Sequence, residues 1–272
     1  MSFFSFTSRE GSMKLKLFQI DAFARERFKG NPAAVCPLDT WLEEGTMQKI
    51  AAENNLSETA FFVKNDDAYD LRWFTPAAEV DLCGHATLAA AFVVFNFLET
   101  AKEKVDFSTR SGILTVRQDK DLLAMDFPSR PAAPCKLPKM LADGLGAVPG
   151  LIFLSRDYLA VYDNEDTVSD LRPDMAMLSG LDDCLGIIVT APGRDVDFVS
   201  RFFAPGVGVP EDPVTGSSHC TLVPYWSQRL NKKGLHARQL SLRGGDLFCE
   251  DMGDRVRIAG NAVIYLEGTI QI

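Results

Sequence analysis

Three short segments carry side chains that could move protons. Glu58 precedes the apolar residues 59–63, His85 follows a glycine, and Asp212 lies in the sequence EDPVTG. A carboxylate beside a buried strand is partly desolvated, which raises its pKa, and histidine titrates near neutral pH. Glu58, His85 and Asp212 are therefore candidate acid–base residues. The residues alone also fit a satisfied histidine at a helix start and a turn-forming aspartate before proline, and for Glu58 they favour a solvent-facing turn.

Two glycines, Gly84 and Gly216, each stand where a helix is expected to begin. Unpaired N–H groups and a partial positive charge make helix N-termini suitable for binding anions, and glycine lets a ligand approach the backbone. If the two segments face each other, both N-termini point into one cleft that suits a carboxylate or a developing enolate oxygen. A tight turn would explain one such glycine, whereas the matched pair favours a binding role.

The two glycines belong to a weak internal duplication. The sequence RWFTP at residues 72–76 is matched by RFFAP 129 residues later. Gly84 and Gly216 lie 132 residues apart, and RSG at residues 110–112 is matched by RGG 133 residues later. Three landmarks in one order at a nearly constant offset indicate two related halves.

Cys83 precedes the first of these glycines, and the matching position in the second half is Thr215. A helix N-terminus could lower the pKa of the Cys83 thiol and make it a nucleophile or base. A threonine hydroxyl is a far weaker base, so a mechanism with two thiols is not available. A cysteine hydrolase that uses Cys83 with His85 is disfavoured, because adjacent helix-start positions need not let the two side chains meet.

The hydrophobic pattern predicts an α+β fold of two domains, each a curled sheet around one buried helix. Helices are expected at residues 42–54 and 85–98, and the second is apolar nearly all round, so it should be buried on every side. The matching helix of the second half contains Pro224, where we expect a kink or an early stop. The pocket should be shaped by loops at residues 128–149 and 164–181.

Domain boundaries follow from a proline-rich link at residues 128–138. The predicted division is a flexible extension at 1–12, a first domain of 13–128 with about 263–272, and a second domain of 129–262.

Composition narrows the class of protein. The chain has 272 residues and a net charge of −9 without a basic cluster, which argues against a nucleic-acid partner. The sequence has no apolar run of the roughly 20 residues that cross a membrane, and its N-terminus does not resemble a secretory signal. Six cysteines occur without a CxxC pair, so we expect no metal or redox motif and a reducing cytoplasm.

Several motifs in order resemble those of the PhzF-like (phenazine biosynthesis) isomerase family, from about residue 14 to the end. They are DAF at 21–23, GNPAAV at 30–35, NLSET at 55–59, FTP at 74–76, GH at 84–85 and EDPVTGS at 211–217. The resemblance implies a fold similar to diaminopimelate epimerase, with two domains that are each a barrel-like, mostly antiparallel sheet around a central helix. It also implies a homodimer, no metal and no organic cofactor.

The family's functional positions can be carried over to this sequence. In the phenazine enzyme a glutamate moves a proton between carbons of dihydro-3-hydroxyanthranilate, and that position matches Glu58. Its supporting histidine and aspartate match His85 and Asp212. The resemblance thus implies an isomerase acting on a small anionic carboxylate. The predicted substrate-binding residues are Gly84, Gly216, Ser217, Cys83, Thr215 and Ser57.

One departure leaves two alternatives open. Cys83 replaces a small residue of the phenazine enzyme and matches the first catalytic cysteine of proline racemase and diaminopimelate epimerase. The chain could therefore be a racemase or epimerase with Cys83 as one base. It could also be a binding protein that kept the fold, although keeping Glu58, His85 and Asp212 together would then have no obvious reason.

Overall fold

The computed structural model describes residues 13–272, so the predicted extension at residues 1–12 lies outside the described residues. No helix in this part of the chain is both long and apolar enough to cross a membrane. The strands are β1 (Lys14–Ala22), β2 (Asn31–Leu38), β3 (Glu58–Asn65), β4 (Ala68–Phe74), β5 (Glu79–Val80), β6 (Lys104–Thr109), β7 (Gly112–Asp119), β8 (Leu122–Pro128), β9 (Ala133–Pro134), β10 (Leu151–Leu154), β11 (Tyr158–Val161), β12 (Ile187–Pro192), β13 (Phe198–Phe203), β14 (Gly234–Gln239), β15 (Gly245–Asp251), β16 (Arg255–Gly260) and β17 (Ala262–Gln271).

Helices are fewer and shorter than the strands, apart from one central helix in each half. They are α1 (Glu44–Asn54), α2 (Gly84–Val93), α3 (Lys139–Leu145), α4 (Glu165–Asp170), α5 (Met175–Leu178) and α6 (Gly216–Leu230). A π-helical turn, Val94–Leu98, extends α2, and a 3₁₀ turn, Pro205–Val207, follows β13.

All strands except β5, which pairs with the end of β4, form one path of hydrogen-bonded neighbours. In the first half the order is β17–β1–β2–β3–β4–β6–β7–β8, and β8 then pairs with β16 of the second half. From there the path continues β16–β15–β14–β13–β12–β11–β10–β9. Most pairs are antiparallel, and each half contains two parallel pairs.

Each half curls around one central helix. Helix α2 packs against β1, β2, β3 and β8, and α6 packs against β14, β15 and β16. This arrangement confirms the predicted α+β class of two similar, mostly antiparallel sheets. The C-terminal strand β17 returns to pair with β1 of the first half, while the predicted residue ranges of the two domains stay a prediction.

The apolar character of α2 is explained by its position inside the first sheet. All of its residues from His85 to Val93 except Phe92 are buried. The prediction of burial on every side fails at Phe92, which is half-buried, and at the end of the π-helical turn, where residues 96–98 are exposed.

Helix α6 continues past Pro224, so the predicted early stop is wrong. Proline cannot donate the backbone hydrogen bond to the carbonyl four residues earlier, which here belongs to Cys220. The backbone N–H of Arg130 donates to that carbonyl at 2.8 Å. The proline-rich link thus satisfies the acceptor that Pro224 leaves free, and the helix runs on to Leu230.

The predicted pocket loops are also corrected. Residues 128–149 contain β9 and α3, and residues 164–181 contain α4 and α5. Apolar residues of these segments, including Leu141 and Val168, pack into a core cluster of the second half. Neither segment lines the cavity described below.

Gly30 tests how tightly the loop before β2 is constrained. It has φ +65°, and a Cβ atom there would lie 2.1 Å from the carbonyl oxygen of Ala22. We expect Gly30→Ala to lower the free energy of unfolding by more than about 1 kcal/mol, because both the backbone conformation and the space exclude a side chain. Gly234→Ala, where a Cβ meets nothing within 4 Å, should stay within about 0.5 kcal/mol of wild type. Urea denaturation of both variants checks this, and equal losses would contradict it.

Candidate active site

A cavity of about 210 Å³ lies between the two halves and contains every predicted site residue. Its lining comes from the start of β3, the starts of α2 and α6, and the segment between β13 and α6. Their roles stay predictions, but the structure brings all nine together: Ser57, Glu58, Cys83, Gly84, His85, Asp212, Thr215, Gly216 and Ser217.

The two central helices begin side by side. Helix α2 starts at Gly84 and α6 at Gly216, and a Cβ atom on Gly84 would lie 3.9 Å from the Cα atom of Gly216. Among the described residues, neither N-cap residue, Cys83 or Thr215, caps its helix with its side chain. The first backbone N–H groups of both helices are therefore available to an anion in the cavity.

Glu58, His85 and Cys83 form a cluster at the first helix start. Glu58 Oε2 lies 3.0 Å from His85 Nε2, and Cys83 Sγ lies 3.5 Å from His85 Nδ1. Glu58 is the first residue of β3, which α1 and a short turn deliver to this place. Its side chain is only 18% exposed, so the solvent-facing turn that the residues alone favoured is wrong.

The pKa values of Glu58 and His85 shift in opposite directions. Burial raises the pKa of Glu58, but the charge of the neighbouring His85 outweighs burial and lowers it. Burial lowers the pKa of His85, while Cys83 and Glu58 raise it well above its usual value. The predicted increase in the pKa of Glu58 is therefore wrong, because desolvation was considered without the neighbouring cation.

Cys83 behaves differently from the sequence expectation in two respects. The Cys83 Sγ atom lies 3.5 Å from His85 Nδ1, so the two side chains do meet. The sequence analysis had disfavoured a Cys–His pair because neighbouring residues at a helix start need not meet. Burial and the charge of Glu58 nevertheless raise the pKa of the thiol to about 11, against a smaller opposite effect of His85. The thiol stays protonated near neutral pH, so the geometry does not provide a thiolate nucleophile.

The same three side chains could coordinate a metal ion. One ligand atom each from Glu58, Cys83 and His85 lies within 4.8 Å of the other two. Nitrogen, oxygen and sulfur ligands of this kind suit zinc. The sequence prediction that no metal is required stays a prediction.

Asp212 reaches the cluster through Asn31, a residue that the sequence analysis did not single out. The Asn31 Nδ2 group donates to Asp212 Oδ1 at 2.7 Å and lies 3.2 Å from His85 Nδ1. Thr215 Oγ1 donates to Asp212 Oδ2 at 2.5 Å. Burial raises the pKa of Asp212 to about 6, although the charge of His85 and the hydrogen bond from Thr215 oppose it. The one available signal for Asn31 was its place in the GNPAAV motif.

Gln239 holds the start of α6 in place through hydrogen bonds from its side chain to the backbone. Its side chain is fully buried, accepts from the backbone N–H of Thr215 at 2.9 Å and donates to the backbone carbonyl of Asp212 at 2.8 Å. His219, one turn into α6, is buried, and burial lowers its pKa to about 4 despite its hydrogen bond to the Thr215 carbonyl. His219 is thus a neutral histidine of the core at neutral pH.

Arg156 is a second residue that sequence reasoning missed. It lies in the turn between β10 and β11 and lines the cavity beside Ser217, with its Nη2 group 3.2 Å from Ser217 Oγ. No sequence motif or periodicity marked it. Ser57, which was predicted, also lines the cavity next to Glu58.

Comparison with known proteins agrees with this fold. A solved structure of a predicted epimerase from Pseudomonas aeruginosa matches with a TM-score of 0.75 at 19% identity, over 94% of this chain and 99% of that chain. At that identity the match shows the fold alone, which is epimerase-like.

Nearer relatives define the family. Residues 20–268 match the PhzC-PhzF family, described as phenazine biosynthesis-like protein. An uncharacterized isomerase of Pseudomonas aeruginosa is 54% identical over 260 residues, covering 96% of this chain and all of the relative. The crystal structure of a PhzF-family protein from Enterococcus faecalis matches with a TM-score of 0.94 and 47% identity, over 96% of this chain and all of that chain. The chain therefore belongs to the PhzC-PhzF family.

The raised pKa of Asp212 predicts how the free energy of unfolding changes with pH. Its folded pKa of about 6 exceeds the ordinary value of 3.8, so the folded state binds the proton more tightly. Stability from this group is present below pH 3.8 and is lost as the pH rises through about 6. Relative to Asp212→Asn, wild-type protein should thus lose about 3 kcal/mol of unfolding free energy between about pH 3 and pH 7.

Urea denaturation of both proteins across this pH range measures the difference. Asp182→Asn, at an exposed position, serves as the control for an Asp-to-Asn substitution outside the cavity. A constant difference for Asp212→Asn would show that Asp212 titrates as an ordinary carboxyl.

Proposed function

We propose that this protein is a cofactor-independent isomerase that moves a proton between carbons of a small carboxylate substrate. The reaction would be similar to that of trans-2,3-dihydro-3-hydroxyanthranilate isomerase. The observation that carries the proposal is the 3.0 Å contact between Glu58 and His85 in a cavity where two helix N-termini meet. This arrangement supports the proposal, in which Glu58 is the base and the helix N-termini stabilise an anion.

Glu58 is the base that removes a proton from carbon. Its lowered pKa keeps it as a carboxylate before the substrate binds, so it can accept a proton at neutral pH. The electrons of the broken C–H bond move into the neighbouring unsaturated or carbonyl system. Backbone N–H groups at Gly84, Gly216 and Ser217 stabilise the resulting oxyanion, and Glu58 then returns the proton to a different carbon.

His85 and Asp212 support this transfer. The charge of His85 holds Glu58 in the carboxylate form and fixes its orientation through the 3.0 Å contact. Asp212 can be protonated near pH 6, so it can accept or donate a hydrogen bond to a polar group of the substrate. Asn31 couples the two residues by contacting both.

Further features belong to the same proposal. We expect a homodimer in the cytoplasm, with no nucleic-acid partner, no metal and no organic cofactor. The acidic net charge of −9 and the six free cysteines support the partner and compartment assignments.

Exchange of carbon-bound hydrogen in the substrate for deuterium tests the proposal. Protein is incubated in D₂O with a panel of small unsaturated and amino carboxylates that includes dihydro-3-hydroxyanthranilate, and proton NMR follows deuterium entering carbon positions. Glu58→Gln should lower the exchange rate by about 10²- to 10⁴-fold, because it removes the general base. The control Glu53→Gln, at an exposed position of α1, should exchange like wild type. Normal exchange by Glu58→Gln would refute the mechanism.

A racemase or epimerase that uses Cys83 as a base is the competing enzyme function. Cys83 contacts His85 and lines the cavity, which favours this alternative, but its raised pKa opposes it. We expect Cys83→Ala to keep most of the exchange activity, because the thiol is protonated at neutral pH. Loss of exchange together with loss of inversion at a chiral carbon, followed by polarimetry, would instead support the racemase.

A binding protein on the same fold predicts a third result. It would bind panel compounds without exchanging any carbon-bound hydrogen, and Glu58→Gln would behave like wild type.

A further inference from the structure

Arg156 is a positively charged side chain in a cavity that also contains two acidic residues. Among the described residues that line the cavity, it is the one Lys or Arg side chain, and Glu58 and Asp212 are the acids. Its side chain is one-third exposed, so a ligand in the cavity can reach it. Its guanidinium therefore offers hydrogen-bond donors to an anionic group of the ligand, even though Asp157 offsets part of its charge.

The guanidinium is held in place but is not saturated with hydrogen bonds. Nε and Nη2 donate to the Asp157 carboxylate at 3.4 and 3.0 Å, and Nη2 also donates to Ser217 Oγ at 3.2 Å. The structure records no partner for Nη1 within residues 13–272. Because guanidinium carries five N–H donors, both hydrogens on Nη1 remain available to an acceptor.

The surroundings keep Arg156 in this position before any ligand binds. Asp157 is only 1% exposed, so its carboxylate depends on Arg156 as a charged partner. The backbone carbonyl of Arg156 accepts from Leu185 N–H at 3.1 Å, which ties the turn to a neighbouring segment. A guanidinium fixed in this way loses little side-chain entropy on binding and matches the planar geometry of a carboxylate.

The remaining lining is largely apolar. Apolar walls favour an apolar ligand body, because a charged or polar group placed against them would be desolvated without compensation. A cavity of about 210 Å³ is also smaller than the ~300–1,000 Å³ of pockets for drug-sized ligands. The apolar residues are Leu82, Phe127, Leu185, Phe202, Val207 and Val209.

We infer that Arg156, together with Ser217, anchors the carboxylate of a small substrate whose body is apolar. This inference rests on the proposed function for the identity of the reacting site and narrows its substrate class. The substrate is a small carboxylate that is held by its carboxylate group at Arg156 while a C–H bond faces Glu58. Arg156 is thus the residue that selects for charge, and Glu58 is the residue that moves the proton.

Benzoate and benzamide test the inference because they match in shape and differ in charge. Isothermal titration calorimetry of the full chain with each probe should give about 10- to 100-fold tighter binding of benzoate, since hydrogen bonds to charged groups are stronger than those between neutral groups. Arg156→Gln should weaken benzoate to the level of benzamide and leave benzamide unchanged. Arg156→Lys should give an intermediate preference, because lysine keeps the charge but not the planar fork.

Two controls separate a local effect from misfolding. Arg229→Gln, on the exposed end of α6, should keep the full preference for benzoate. Unchanged benzamide affinity in Arg156→Gln shows that the cavity is intact although Asp157 has lost its partner. Equal binding of the two probes by wild type, binding of neither probe, or a preference that survives in Arg156→Gln would each overturn the inference.

The Glu58→Gln variant distinguishes this inference from the proposed function. It should keep the preference for benzoate, because Glu58 does not contact the carboxylate anchor in this arrangement. If no panel compound exchanges deuterium but the preference follows Arg156, the anion site stands and the isomerase proposal fails. If deuterium exchange depends on Glu58 but Arg156→Gln keeps the preference for benzoate, the isomerase proposal stands and the proposed role of Arg156 is wrong.

Discussion

The approach of two helix starts at Gly84 and Gly216 is the constraint on which the site depends. Either glycine could carry a Cβ atom at ordinary contact distances of 3.5 Å or more from its neighbours. A side chain would therefore not be excluded by collision, but it would cover the N–H groups and fill the space between the halves. Both central helices must enter their sheets at this point, so the curvature of each sheet, the pairing of β8 with β16 and the position of the cavity are linked.

Buried polar groups join the halves around this point, and most of them are satisfied across the boundary. Asn31 of the first half donates to Asp212 and to the Val214 carbonyl of the second, and Gly30 N–H donates to the Gly244 carbonyl at 2.7 Å. Buried hydrogen bonds of this kind specify one relative arrangement of the elements, because slippage would leave polar atoms unpaired. Asn31 Oδ1 is buried without a partner among residues 13–272, which fits a place where stability is given up for a site.

The sequence predicted what depends on local pattern and on motifs, but not what depends on neighbours. The buried helix at residues 85–98 followed from hydrophobic periodicity, and the duplicated glycines indicated that two helix starts could meet. The GNPAAV motif at residues 30–35 did not indicate strand β2, because Asn31, Pro32 and Pro37 are unusual in an inner strand. The pKa directions of Glu58 and Cys83 were wrong since they depend on which charges surround each group in three dimensions. Arg156 could not be predicted as a residue of the cavity, because a single arginine in a turn belongs to no motif or periodic pattern.

The two halves differ in the residue that precedes each central helix, although both helices begin at the cavity. At the first N-cap, Cys83 contacts the charged pair formed by Glu58 and His85. At the second, Thr215 is held by Asp212 and Gln239, and within residues 13–272 its hydroxyl contacts no charged group other than the carboxylate to which it donates. In the proposed mechanism, the first half would therefore supply the base and the second half a fixed polar frame. A symmetric pair of bases would favour removing and returning a proton on opposite faces of one carbon, whereas a single base on one side favours moving it between carbons on the same face.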